Sequence, residues 1–385
     1  MFLDKEYLFT PGPTPIPNRV NVAMSKPMIG HRSAEFPVLL EDVATRLQPV
    51  FGSDNPVCIL SASGTGALEA AAVNTIEPGD HVVVIVGGAF GDRFAKILEA
   101  HGANVHRLEV EWGTVCQPEQ LEDFITSANY QVKAVFATYC ETSTSVIHPI
   151  NELGEVTKRV SDALFIVDGV SCIGGVPADM AGWNIDILVS GSQKALMLPP
   201  GLAFVAVSDH AKEVMKNNKA ARFYFDLNRY FDAYEQKKST PFTPAVSLIY
   251  GAQEVCQMIE EEGLDNVIKR HDLLKTMTRE GIKALDIPLL TSDEIASPTV
   301  TAVKPENGKA NEMKKMIKDK FNISLAGGQQ KLSGEIFRIG HMGYCTPYDV
   351  LTVLTAVEMT VKAIDGKDVL GAATKRAQEV WSEHV

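Results

Sequence analysis

The chain has 385 residues, 45% of them hydrophobic and 22% charged. That is more apolar material than a single core ordinarily holds, so a globular protein of two domains is expected. A formal net charge of −12 argues against nucleic acid and anionic membrane as partners, because both require a positive field, and it leaves any anionic ligand to be held by local groups.

The first 25 residues are rich in proline and predict an irregular segment. Their start, MFLDKEYLFTPGPTPIP, places acids and prolines where a secretory leader needs a basic end and an apolar run. No stretch offers the ~20 uninterrupted apolar residues of a membrane span, and a soluble cytoplasmic protein is expected. From about residue 35 to 210, short β-branched runs (57–60, 81–86, 134–138, 164–167, 187–189 and 203–207) alternate with helical patterns (67–76, 93–100, 118–126 and 150–160). Such alternation predicts an α/β fold with a mostly parallel sheet covered on both faces, whose ligands bind beyond the carboxyl ends of the strands. A helical region over 246–262 leads into a long amphipathic helix from 264. Segments 298–304, 313–321, 336–339 and a helical end from 347 then predict a smaller α+β unit. The expected organisation is an N-terminal segment 1–25 contributing to the active site, a large domain 26–264 and a small C-terminal domain 265–385. The six cysteines form no CxxC pair and are expected to be reduced structural thiols. The nine histidines show no zinc-like spacing with them, so no metal is expected.

Three segments, each following a predicted strand, carry the chemistry. In Ser61-Ala62-Ser63-Gly64-Thr65-Gly66-Ala67, small residues open a helix whose N-terminus favours an anion, and Ser63 and Thr65 add hydroxyls. Taken alone, the segment reads as a cap and turn at least as readily. In Leu164-Phe165-Ile166-Val167-Asp168, a carboxylate closes a buried strand. It needs a cap, a salt bridge or, in a cofactor enzyme, a protonated heterocycle. Lys194 ends the run Ile187-Leu188-Val189-Ser190-Gly191-Ser192-Gln193-Lys194, with no acidic neighbour. A lone lysine is usually a solvated surface group, but a desolvated one offers the neutral amine that Schiff-base chemistry needs. Anion cradle, buried Asp and strand-end Lys, in that order on a parallel sheet, match the binding of pyridoxal 5′-phosphate.

Over essentially its whole length the chain resembles the class V aminotransferases, specifically the serine-pyruvate / alanine-glyoxylate group. The resemblance rests on Phe9-Thr10-Pro11-Gly12-Pro13-Thr14, Gly30-His31-Arg32, the SASGTGALEA run, Glu141-Thr142-Ser143-Thr144, VDGVS, GSQKAL, PPG and Phe337-Arg338-Ile339-Gly340, all in order. It implies the pyridoxal-phosphate-dependent fold type I. Lys194 then corresponds to the Schiff-base lysine and Asp168 to the partner of the pyridine nitrogen. Ser63, Gly64, Thr65 and Gln193 correspond to phosphate-binding residues, Thr142 to a neighbour of the ring hydroxyl, and Val170 to a residue packed on the ring. Phe90 stands where some relatives stack a Trp. Thr240, where some relatives carry Tyr, and Thr243 match phosphate contacts from a second subunit, which implies a homodimer with shared sites. Arg338 matches the arginine that binds the substrate carboxylate, with backbone near Gly12 assisting. Each charged hydrogen bond there contributes on the order of 1.5–3 kcal/mol.

The expected activity is ping-pong transamination between small amino acids (alanine, serine) and small 2-oxo acids (glyoxylate, pyruvate). Lys194 would move the proton from the substrate's Cα, and Asp168 would keep the ring protonated. The competing readings are a cysteine desulfurase or lyase of the same fold, an aminotransferase specific for ureidoglycine, and a non-enzymatic protein of the same fold. Gln193, where desulfurases carry His, argues against the first, and Cys345 is the nearest candidate for its nucleophile.

Overall fold

The computed structural model describes residues 5–384. Its main sheet has seven strands: β1 (Cys58–Leu60), β2 (His81–Val86), β3 (Asn104–Glu109), β4 (Val132–Thr138), β5 (Leu164–Asp168), β6 (Ile187–Gly191) and β7 (Ala203–Val207), in the spatial order β1-β7-β6-β5-β4-β2-β3. The β3-β2-β4-β5-β6 pairs are parallel, whereas β7 runs antiparallel to both β6 and β1. That reversal follows from chain length. Residues 192–202, which include Pro199-Pro200-Gly201, are too few for the crossover that a parallel return requires.

Strand residues alternate between two cores, as a two-residue side-chain period dictates. Val83, Ile85, Val135 and Ala137 face one, and Val82, Val84, Ala134 and Phe136 face the other. Two helices matter for the site. The first, α1 (Gly64–Thr75), follows β1. The second, α2 (Ala89–Ala100), follows β2. A third core gathers Leu274, Ile317, Phe337, Ile339 and Val357 around a three-stranded sheet of β8 (Val300–Val303), β10 (Phe337–Gly340) and β9 (Ala326–Gly327), all antiparallel. Among the described residues, no helix is long and apolar enough to cross a membrane.

The N-terminal segment is more regular than its prolines imply. Tyr7–Leu8 pairs in parallel with Ile323–Ser324. Asn18–Met24 is a helix starting after Pro17, with Val20 and Ala23 buried and its length packed on the helix Val246–Glu262. The prolines end at position 17. They stiffen the approach to the helix without entering it.

Candidate active site

The site lies at the carboxyl ends of β1, β4, β5 and β6. Beyond β1, the Ser63 hydroxyl caps α1 by accepting from Gly66 N at 3.2 Å. The first turn of α1 carries no acidic residue, so its unpaired N–H groups and dipole face outward unopposed. Gly64 permits close packing, since a Cβ there would stand 2.8 Å from Val170 Cγ1. Ser63 and Thr65 are exposed at the rim.

Asp168 ends β5 and is 3% exposed. Burial pushes its carboxyl up to about 6, against the hydrogen bond that Val170 N donates to Oδ1 at 2.9 Å; the charge of Glu141 adds to the rise. No cation of the described residues stands at ion-pair distance from it. A buried carboxylate without a cationic partner is unfavourable, and a protonated ring nitrogen is the kind of group that would complete it.

Lys194 is half-buried just beyond β6, and its Nζ donates to the carbonyl oxygen of Pro11. Burial first, and then the charge of Arg338, hold its ammonium down to about 8, which gives a usable neutral amine near physiological pH. Gly12 makes room for it: at φ +94°, a Cβ would meet Lys194 Cδ at 2.4 Å. The N–H of Gly12 donates to Thr10 O at 2.7 Å. The buried Oε1 of Gln193 has no hydrogen-bond partner among the described residues, and a Cβ on Gly191 would lie 3.2 Å from it, 3.4 Å from Val170 Cγ1 and 3.5 Å from Gly64 Cα. Gln193, Val170 and the α1 cradle thus converge. A small-residue cradle at a helix N-terminus, an unpaired carboxylate and a low-pKa amine fit a phosphorylated pyridine aldehyde.

Arg338, on β10, is 5% exposed and its guanidinium touches no carboxylate of the described residues. Nη1 donates to Thr142 O at 2.8 Å, and Nε and Nη2 donate to Gly327 O at 3.1 and 2.8 Å. Burial lowers it to about 10, still a cation at neutral pH. Phe90, in the first turn of α2, carries Arg93 on its ring at 4.7 Å, and Arg93 Nη1 lies 3.4 Å from Thr65 Oγ1.

Thr240 and Thr243 are not bonded into this cluster. The Thr240 hydroxyl donates to Phe242 O at 2.7 Å, and Thr243 is exposed in a surface hollow shared with Gly30 and His31. Arg32 holds this loop by donating to Ser239 Oγ and Thr240 O, both at 3.0 Å. All six cysteines are free, and burial raises the Cys345 thiol far above its usual range, unlike an exposed nucleophile. Sequence reasoning missed the Pro11 carbonyl, Arg93 and the role of Glu141. Only Glu141 left a signal, as an acid next to an apolar strand end.

The chain matches the family model of class V aminotransferases over residues 6–346. An uncharacterised aminotransferase of Methanocaldococcus jannaschii is 43% identical over 98% of this chain and 97% of its own. A protein of Synechococcus sp. named as the small subunit of a soluble hydrogenase is 41% identical over 92% of each. Among solved structures, the ureidoglycine-glyoxylate aminotransferase of Bacillus subtilis superposes with a TM-score of 0.91 at 32% identity, covering 99% of both chains.

Proposed function

The chain belongs to the class V aminotransferases, fold type I enzymes whose cofactor is pyridoxal 5′-phosphate, and we propose that it exchanges the amino group of small amino acids, alanine or serine, with small 2-oxo acids, glyoxylate or pyruvate. One observation carries the reading. A lysine held near neutrality (about 8) stands within the field of Asp168 and of Arg338, and neither of those two has an ionic partner of its own among the described residues. The name of the Bacillus subtilis structure supports glyoxylate as acceptor.

Asp168 would hold the ring nitrogen protonated. Ser63, Gly64, Thr65 and Gln193 would hold the phosphate, Phe90 and Val170 the ring, and Thr142 the side of the ring hydroxyl. When bound, the cofactor supplies an electron sink for negative charge developing at the substrate's α-carbon. Lys194 Nζ, in its neutral form, would take the α-proton from the amino donor and pass it to the cofactor. In the second half-reaction it would carry a proton the opposite way, onto the α-carbon derived from the 2-oxo acid. Arg338 offers the substrate carboxylate a planar cation already fixed by two carbonyls, so little orientation remains to be lost on binding. Its burial excludes water and strengthens that attraction.

The same reading includes a homodimer in which Thr240 and Thr243 of one subunit serve the phosphate of the other. The exposure of Thr243, outside its own cluster, supports that arrangement. Activity across a matrix of amino donors and 2-oxo acceptors tests the substrate assignment. Exchange with glyoxylate or pyruvate is expected, and failure of both acceptors would refute it. Sulfide release from cysteine is not expected, because Cys345 is buried.

A further inference from the structure

Glu141 is 1% exposed and has no part in the scheme above. It ends one strand of a short hairpin, Cys140–Glu141 against Val146–Ile147. Its carboxylate accepts from Gly91 N at 3.0 Å, from Phe90 N at 3.2 and 3.3 Å to its two oxygens, from Ser143 N at 3.2 Å and from Ser143 Oγ at 2.5 Å. Ser143 Oγ also accepts from Ala89 N at 2.9 Å. The first three N–H groups of α2, which a helix cannot satisfy internally, therefore all end on this one turn. The N-cap residue of α2, Gly88, has no side chain to do so, and a Cβ there would stand 2.3 Å from Glu141 Cδ and 2.5 Å from Ser143 Oγ.

The cap thus comes from another element. A serine or aspartate at the N-cap would satisfy the helix locally. A carboxylate from the hairpin instead ties the start of α2 to the strand-end face of β4. The residue between Glu141 and Ser143 is Thr142, whose carbonyl accepts from Arg338 Nη1 at 2.8 Å. One turn therefore fixes Phe90 on one side and Arg338 on the other. Burial raises the Glu141 carboxyl, against the hydrogen bonds from Ser143, Gly91 and Phe90 that favour its charged form, and its charge is felt by Asp168 and Arg338.

We infer that Glu141 is a positioning residue of the transamination site, setting Phe90 through the N-terminus of α2 and Arg338 through the Thr142 carbonyl. The inference rests on the roles proposed above for Phe90 and Arg338. Glu141→Gln keeps the shape but turns an amide N–H₂ towards backbone N–H donors. Purified holoenzyme, resolved of cofactor and titrated with pyridoxal 5′-phosphate, should show a Kd raised tenfold or more in this variant, a weakened visible circular dichroism band once loaded, and a raised KM for the 2-oxo acid. Glu141→Asp should recover part of each, and Ser143→Ala should raise the Kd about threefold. Wild-type Kd, dichroism and KM in Glu141→Gln overturn the inference, as does a lowered Tm with those three unchanged. If Glu141→Gln gives no soluble protein, Ser143→Ala decides by the same readouts. Cofactor affinity is measured without substrate. A weakened Kd in an enzyme that rejects glyoxylate and pyruvate therefore sinks the substrate reading alone, and an unchanged Kd in an active transaminase sinks this inference alone.

Discussion

Arg338 Nη1 donates to the carbonyl oxygen of Thr142 at 2.8 Å, so the one buried guanidinium of β10 is anchored to the turn beside β4. The anchoring leaves the guanidinium without a carboxylate at ion-pair distance among the described residues, as a site for a carboxylate ligand requires. Removing it should remove recognition. With two charged hydrogen bonds of about 1.5–3 kcal/mol each, Arg338→Ala should lower kcat/KM for the 2-oxo acid by roughly 10²–10⁴. Arg338→Lys keeps the charge but not the fork and should retain only part of the activity. Steady-state kinetics on both variants check this, and an unchanged kcat/KM in Arg338→Ala would remove Arg338 from the site.

Asp168 should make the cofactor-free protein sensitive to pH. Its folded pKa, about 6, lies above the ordinary carboxylate value of 3.8. The folded state therefore binds the proton more tightly, and the stability this confers is complete below pH 3.8 and lost as pH rises through 6. The loss is on the order of 3 kcal/mol. Asp168→Asn should abolish it, leaving the cofactor-free variant more stable than wild type at pH 7 while cofactor binding weakens. Chemical denaturation at pH 4 and pH 7 measures both, and equal wild-type stability losses in the two proteins would contradict it.

Much of this was legible in the sequence. Strands β2 and β7 and the helix Val246–Glu262 fall where apolar runs and periodicity place them, because strands buried on both faces and amphipathic helices leave strong patterns. Strand β3 does not. Asn104-Val105-His106-Arg107-Leu108-Glu109 lies at the sheet edge, where one partner and a wet flank permit mixed polarity. The helix Asn18–Met24 hid behind its prolines. Lys194, Asp168 and Ser63 stood out because each closes a strand or opens a helix. The Pro11 carbonyl and the Glu141 cap did not, since both depend on pairings of residues 183 and about 50 positions apart, which no local pattern records.

Lys194 should govern cofactor capture through its protonation. Only the neutral amine attacks an aldehyde, and its fraction rises with pH through the folded value of about 8. Stopped-flow absorbance on the cofactor-free enzyme should therefore show capture accelerating to a half-maximum near pH 8 and levelling above it. Lys194→Ala should lose the visible band of the bound cofactor, with amino-group exchange falling by at least about 10²–10⁴. Wild-type turnover in that variant would end the assignment.

Gly12 offers the sharpest separation of site from fold. Its φ of +94° and the 2.4 Å gap between a built Cβ and Lys194 Cδ give Gly12→Ala two costs: backbone strain of about 1–2 kcal/mol and displacement of the lysine chain. The strain is local and shifts Tm by only a few degrees. Displacement is different, because it moves Nζ away from Pro11 O and out of its pocket. The amine then regains water, and its pKa returns towards 10.5, the ordinary value from which burial had lowered it. The half-maximum for cofactor capture should accordingly move from near 8 to higher pH, with slower capture at pH 7.5. A Gly12→Ala protein that keeps both its capture profile and its turnover would show that Lys194 has room to spare there.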